Sequence, residues 1–177
     1  MRLVETSLAG LLRIEPQPHG DARGLFARIY DEATFAKHGL QTRWPQWNLS
    51  HNTHRGTLRG LHFQRAPHEE PKIVRCTRGR IYDVAVDLRA GSPTRLQWYA
   101  LELDAESRLA LYIPPGFAHG FQTLTDDAEV SYHMGEEYHP ELADGVRWDD
   151  PVFGISWPLA HPILSPRDAS YPDLERR

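Results

Sequence analysis

Apolar positions along this chain fall in short runs broken by turn residues, and few of them repeat at the spacing of an amphipathic helix. Residues 11–15, 24–30, 47–53, 58–64, 72–77, 80–89, 97–103, 109–113, 120–124 and 129–134 are rich in Val, Ile, Tyr, Trp and Thr. They predict strands, at least nine of them between residues 11 and 134. A Pro/His/Gly/Asp cluster separates the first two, and Arg78-Gly79 predicts a tight turn into 80–89. Within 80–89, alternation puts Tyr82, Val84, Val86 and Leu88 on one face and Ile81, Asp83, Ala85 and Asp87 on the other. One short surface helix is expected over 31–39, capped by Asp31 and ended by Gly39. From Tyr138 onward, prolines 140, 151, 158, 162, 166 and 172 predict an extended tail wrapped over the strands. Antiparallel strands at this spacing predict an all-β jelly roll or a closely related barrel.

Composition narrows the picture. A chain of 177 residues fits one domain, 1–177, with room for a full core. Twenty basic against 24 acidic residues leave a net charge of -4, so bulk electrostatics favour no nucleic acid and any anion site must be local. The single Cys76 excludes an intrachain disulfide and a multi-cysteine zinc site, and it is expected as buried packing in a reducing cytoplasm. No run is long and apolar enough to predict a membrane span.

Leu58-Arg59-Gly60-Leu61-His62-Phe63-Gln64 sets an arginine and a histidine in an apolar strand. A guanidinium holds phosphate oxygens in pairs and an imidazole moves protons near neutral pH, so the segment points to an enzyme acting on a phosphorylated ligand. Taken alone, His62 has a structural alternative as a hydrogen-bonded core residue, and Arg59 as a solvated strand end. Ile113-Pro114-Pro115-Gly116-Phe117-Ala118-His119-Gly120-Phe121 looks like the second cupin motif, whose rigid turn aims His119 into a barrel mouth. Metal-binding cupins add a His-x-His pair and a Glu, because a stable site needs three or four converging ligands. Here His62 is followed by Phe63 and Gln64, and Glu69 and Glu70 are expected in a polar loop, so no metal is predicted.

Longer motifs carry a more specific resemblance. Asp21-Ala22-Arg23-Gly24-Leu25-Phe26, Gln46-Trp47-Asn48-Leu49-Ser50, the His62 segment, Pro71-Lys72-Ile73-Val74-Arg75-Cys76 and Asp83-Val84-Ala85-Val86-Asp87-Leu88-Arg89 run in the order found in dTDP-4-dehydrorhamnose 3,5-epimerases. Tyr132, Tyr138, Trp148-Asp149-Asp150-Pro151 and Leu164-Ser165-Pro166-Arg167-Asp168 continue it, so the chain resembles that family from about residue 10 to 172. The resemblance implies a cupin-like jelly-roll barrel with a few short peripheral helices and an extended C-terminal tail. It also implies a cytoplasmic homodimer with no cofactor, acting on a nucleotide-linked 4-keto-6-deoxy hexose, dTDP-linked by expectation, with no nucleic acid or membrane as partner.

By that resemblance His62 is the base, Asp168 its carboxylate partner, Lys72 the cation beside the ketone oxygen and Tyr132 the acid on the opposite ring face. Epimerisation beside a ketone needs these roles, because the carbanion is an enolate. Arg59 and Arg23 match diphosphate contacts, and Phe26, Gln46, Asn48, His119 and Tyr138 match positions around the nucleoside and sugar. Arg23 and Phe26 reach over from the other subunit in the family. Asp83 has two readings from its strand position, holding Lys72 charged and oriented or facing solvent.

The chain departs from the family pattern at His133 beside Tyr132, at Arg28, and at Arg95-Leu96 after Ser92-Pro93-Thr94. These changes keep open a mono-epimerase, acting at carbon 3 or 5, or a CDP- or GDP-linked substrate. A metal-dependent cupin oxygenase and a non-catalytic sugar-binding cupin are the remaining alternatives. Strict alternation also puts Arg59 and His62 on opposite faces, which a bulge or strand edge at Gly60 would relieve.

Overall fold

The structure, a computed structural model, describes residues 1–174. It opens with β1 (Arg2–Glu5), β2 (Leu12–Glu15) and a hairpin of β3 (His19–Asp21) and β4 (Gly24–Phe26), then α1 (Glu32–Lys37). The barrel strands follow: β5 (Gln46–Asn52), β6 (Leu58–Gln64), β7 (Lys72–Arg78), β8 (Arg80–Asp87), β9 (Trp98–Asp104), β10 (Ala110–Ile113), β11 (Phe117–Thr123) and β12 (Ala128–Met134). β13 (Ala143–Gly145) and α2 (Pro166–Ala169) punctuate a largely irregular C-terminal stretch. Two antiparallel sheets face each other, ordered β1-β2-β10-β7-β12-β5 and β13-β6-β11-β8-β9. The chain is thus all-β, a cupin-type jelly roll.

Apolar residues lie on both faces of each sheet, which explains why many strands read as continuous runs. Val74, Cys76, Ile81, Ala85, Leu111, Phe121 and Val130 fill the space between the sheets. Behind the five-stranded sheet, Leu61, Val84 and Val86 pack under the C-terminal stretch through Val146, Phe153 and Trp157. Behind the six-stranded sheet, Ile14, Ile73 and Tyr112 are covered by Phe35, the one buried residue of α1. That helix starts as expected, with the Asp31 side chain accepting from the Thr34 N–H. The two faces of β8 sort as the alternation predicts, and both of its inward carboxylates, Asp83 and Asp87, are fully buried.

Several boundaries differ from the sequence pattern. The strand expected over 24–30 stops at Phe26, because its hairpin partner β3 is only three residues long. The strand expected to reach Arg89 stops at Asp87, whose side chain accepts from the Arg89 N–H, Ser92 and Thr94 and turns the chain away. No helix among the described residues is long and apolar enough to cross a membrane.

Candidate active site

The C-terminal stretch is stitched to β6, and this delivers an acid to a base. Leu58 N–H donates to the Ile163 carbonyl at 2.9 Å, and Thr57 and Ile163 form a parallel bridge. Ser165 then caps α2 by accepting from the Asp168 N–H, with Pro166 in the first turn. The result sets Asp168 Oδ1 2.7 Å from His62 Nε2. Asp168 is buried, while the His62 side chain keeps 41% exposure toward the cavity. Burial works to raise the Asp168 carboxyl, but His62, the Gly60 N–H and Ser165 outweigh it and hold the group below the usual carboxylate range.

Arg59 and His62 do share one cavity, and the anticipated irregularity at Gly60 accounts for it. The pairing of β11 with β6 shifts register between His119 and Phe121, opposite Gly60, whose φ is +133°. A Cβ at Gly60 would lie 2.6 Å from the Gly120 Cα, so only glycine permits this approach of β6 to β11. Arg59 then donates to Asn52 Oδ1 at 2.7 Å across the barrel.

The cavity, of about 350 Å3, is lined by His62, Lys72, Tyr132, Arg59, Asn48, His119 and Tyr138 among the expected residues. That volume is within the range of small-molecule sites, roughly 300–1,000 Å3. Tyr132 is enclosed by protein and touches solvent only in part. Burial, reinforced by the Asp83 charge and eased by Arg59, raises its phenol far above the ordinary value, so the group stays protonated. Asp168 stands behind His62, and Gln46 holds the pocket rim by accepting from the Tyr138 N–H at 3.1 Å.

The expected pairing of Asp83 with Lys72 is corrected. Asp83 Oδ1 sits 2.8 Å from His119 Nε2, and Lys72 Nζ instead lies 2.7 Å from Glu70 Oε1. Asp83 and His119 meet because Asp83 pairs with Phe121 on the neighbouring strand, which puts the two side chains on one inner face. Glu70 lies in the loop before β7 as expected, but its side chain turns inward: it is 10% exposed and lines the cavity. Its position two residues before Lys72 on an extended segment was a usable signal for a shared face. Arg167, adjacent to Asp168, is a further lining residue that sequence reasoning missed.

Arg23 and Phe26 are not brought into this cavity. They sit on the β3–β4 hairpin, where Arg23 pairs with Asp21 at 2.6 Å and Phe26 is 75% exposed. His133 faces away from Tyr132 and rests against Trp47, ring centroids 4.2 Å apart. Arg28 pairs with Asp31 at 3.0 Å on the surface, and Leu96 packs behind the five-stranded sheet. None of the three departures lines the cavity of this chain. His62 and His119 are register partners, yet their Nε2 atoms go to different carboxylates, a poor arrangement for one shared ion.

An imidazole backed by a buried carboxylate, a cation and an enclosed phenol around one cavity can remove a proton beside a carbonyl, stabilise the enolate and return a proton. Comparison with known proteins points to one family. A family model described as dTDP-4-dehydrorhamnose 3,5-epimerase matches residues 5–176. A protein of that name from Methanothermobacter thermautotrophicus is 47% identical, over 98% of this chain and 94% of its own length. A dTDP-4-dehydrorhamnose 3-epimerase from Streptomyces niveus is 41% identical over 95% of this chain and 81% of its own. The crystal structure of the Bacillus anthracis 3,5-epimerase with TDP and PPi bound superposes with a TM-score of 0.94 at 39% identity, covering 98% of this chain and 99% of that one.

Proposed function

The chain belongs to the dTDP-4-dehydrorhamnose 3,5-epimerase family of isomerases, and on that premise we propose that it converts dTDP-4-dehydro-6-deoxy-D-glucose into dTDP-4-dehydro-L-rhamnose. The observation that carries this reading is the 2.7 Å contact of His62 with Asp168, opening on a cavity that also holds Lys72 and Tyr132. With Nε2–H donated to Asp168, His62 presents Nδ1 as the acceptor, and Asp168 stabilises the imidazolium as the proton arrives.

The proton leaves carbon 3 or carbon 5 of the sugar, and the electron pair moves onto the ketone oxygen as an enolate. Lys72 offsets that charge. Tyr132 delivers a proton to the opposite ring face, inverting the carbon, and regains one from solvent while His62 releases the proton it took; its raised phenol keeps the proton until the enolate demands it. Arg59 grips the diphosphate, and Asn48, His119 and Tyr138 border the sugar and nucleoside. The reaction takes place in the cytosol of the cell. A homodimer completes the site: the exposed Arg23 and Phe26 hairpin reaches the neighbouring subunit's nucleotide.

Incubation in deuterated water with dTDP-4-keto-6-deoxy-glucose, followed by NMR, tests the reading. Deuterium is expected at carbons 3 and 5; its absence from both would sink the proposal. The Streptomyces niveus relative motivates the second reading, epimerisation at carbon 3 alone. Label at carbon 3 alone would establish it.

A further inference from the structure

Outside the reaction cavity, three donors from two loops come together at the barrel rim. The ligand atoms of His68, Glu136 and His139 lie within 4.8 Å of one another. We propose that this cluster binds a divalent transition-metal ion of the Zn2+ class, tying the loop after β6 to the loop after β12.

The backbone under each donor is pinned. Gln64, on β6, spans both loops: its Nε2 donates to the carbonyls of His68 at 2.6 Å and Glu137 at 3.0 Å, and its Oε1 accepts from the His139 N–H at 2.8 Å. His68 N–H donates to the Arg65 carbonyl, and Gly135, next to Glu136, is held by the Pro71 carbonyl and by Gln41. The backbone beneath the cluster is therefore set before any ion arrives, which lowers the ordering cost of binding.

The side chains suit a borderline cation. The His68 and His139 rings stack with centroids 3.9 Å apart, so the two imidazoles are neighbours and a turn of one ring brings their in-plane lone pairs onto a common point. Glu136 Oε2 lies 3.8 Å from His68 Nδ1, and its other oxygen accepts from the Glu137 N–H. Glu141 Oε1 sits 3.3 Å from His139 Nδ1 and orients that ring as carboxylates orient metal-bound imidazoles. Two imidazoles and a carboxylate are a zinc-type donor set, whereas Mg2+ prefers all-oxygen surroundings. Closing to bonds of about 2.0–2.2 Å requires the donors to approach to roughly 3.3 Å, a small rotation for half-exposed side chains.

Titration calorimetry of the tag-free full chain with ZnCl2 tests the site. One Zn2+ per chain with a Kd of roughly 1–10 μM is expected, with a higher Tm and no matching response to MgCl2. His68→Ala and His139→Ala should each weaken binding at least about 10-fold while retaining the circular dichroism and epimerase activity of the parent. Three results would each overturn the proposal. These are absence of binding at about 1 mM Zn2+, equal binding of Mg2+, and affinity that survives both substitutions but falls in His62→Ala.

Discussion

At the residue scale, the catalytic reading turns on a carboxylate that local sequence alone leaves ambiguous. Asp168 stands in a Pro-rich stretch that reads as solvated, yet the Ser165 cap and the Ile163 carbonyl bring it to His62. Asp168→Asn keeps the shape but no longer holds the imidazole in one tautomer or stabilises its charge, so kcat should fall about 10²–10⁴-fold with KM little changed. A loss of less than 10-fold in steady-state assays would remove Asp168 from the mechanism. The same substitution has a pH signature. The Asp168 carboxyl is depressed in the folded protein, so its contribution to stability is complete above the unfolded value near ~3.9 and is lost as pH falls through the lower folded value. Urea titrations should therefore show the parent more stable than Asp168→Asn at neutral pH, the gap closing in acid. His62 was legible through the family resemblance, since an imidazole on an apolar strand is equally read as a hydrogen-bonded core residue. The partners of Lys72 and Asp83 were not, since which acid meets which base depends on strand register.

At the element scale, β6 and β11 show how a local exception makes a site. The run 58–64 was legible to the residue, and so was the conflict between Arg59 and His62 under strict alternation. The resolution lies in a register shift and in an approach of Gly60 to Gly120 so close that a Cβ on Gly60 would lie 2.6 Å from the Gly120 Cα, both set by a strand 57 to 63 positions away in sequence that no local pattern reveals. Gly60→Ala should destabilise by roughly 2–4 kcal/mol, lowering Tm by about 4–16 °C. It should also depress kcat, because His62 lies two residues on. Gly24→Ala is the control: it has the same φ of +133° but no neighbour within 4 Å, so its cost is conformational only. Calorimetric melting of both variants separates the two effects. Equal losses would mean that backbone conformation, and not the contact with β11, makes Gly60 necessary. The short strands β1, β3 and β13 escaped sequence reading for a related reason, being three or four residues held by pairing more than by propensity.

At the scale of the whole molecule, two unpartnered surfaces call for each other. The edge strand β5 exposes Trp47 and Leu49, and the β3–β4 hairpin exposes Leu25 and Phe26. A seven-residue edge strand with apolar side chains is a liability for an isolated chain, and covering it against a second copy removes the liability. The proposed dimer does so while carrying Arg23 and Phe26 to the neighbouring cavity. Subunit mixing separates this arrangement from one in which each chain is self-sufficient. His62→Ala disables the cavity of its own chain, and Arg23→Ala weakens the cavity of its neighbour. In a mixed dimer both defects fall on one site, and the other site is intact. Equimolar mixing after mild unfolding and refolding makes half of the dimers mixed, so about a quarter of all sites should be intact. Activity at low substrate should rise from near zero toward about a quarter of the parent level. If Arg23 served its own chain, every mixed dimer would carry one defect per site, and mixing would restore nothing.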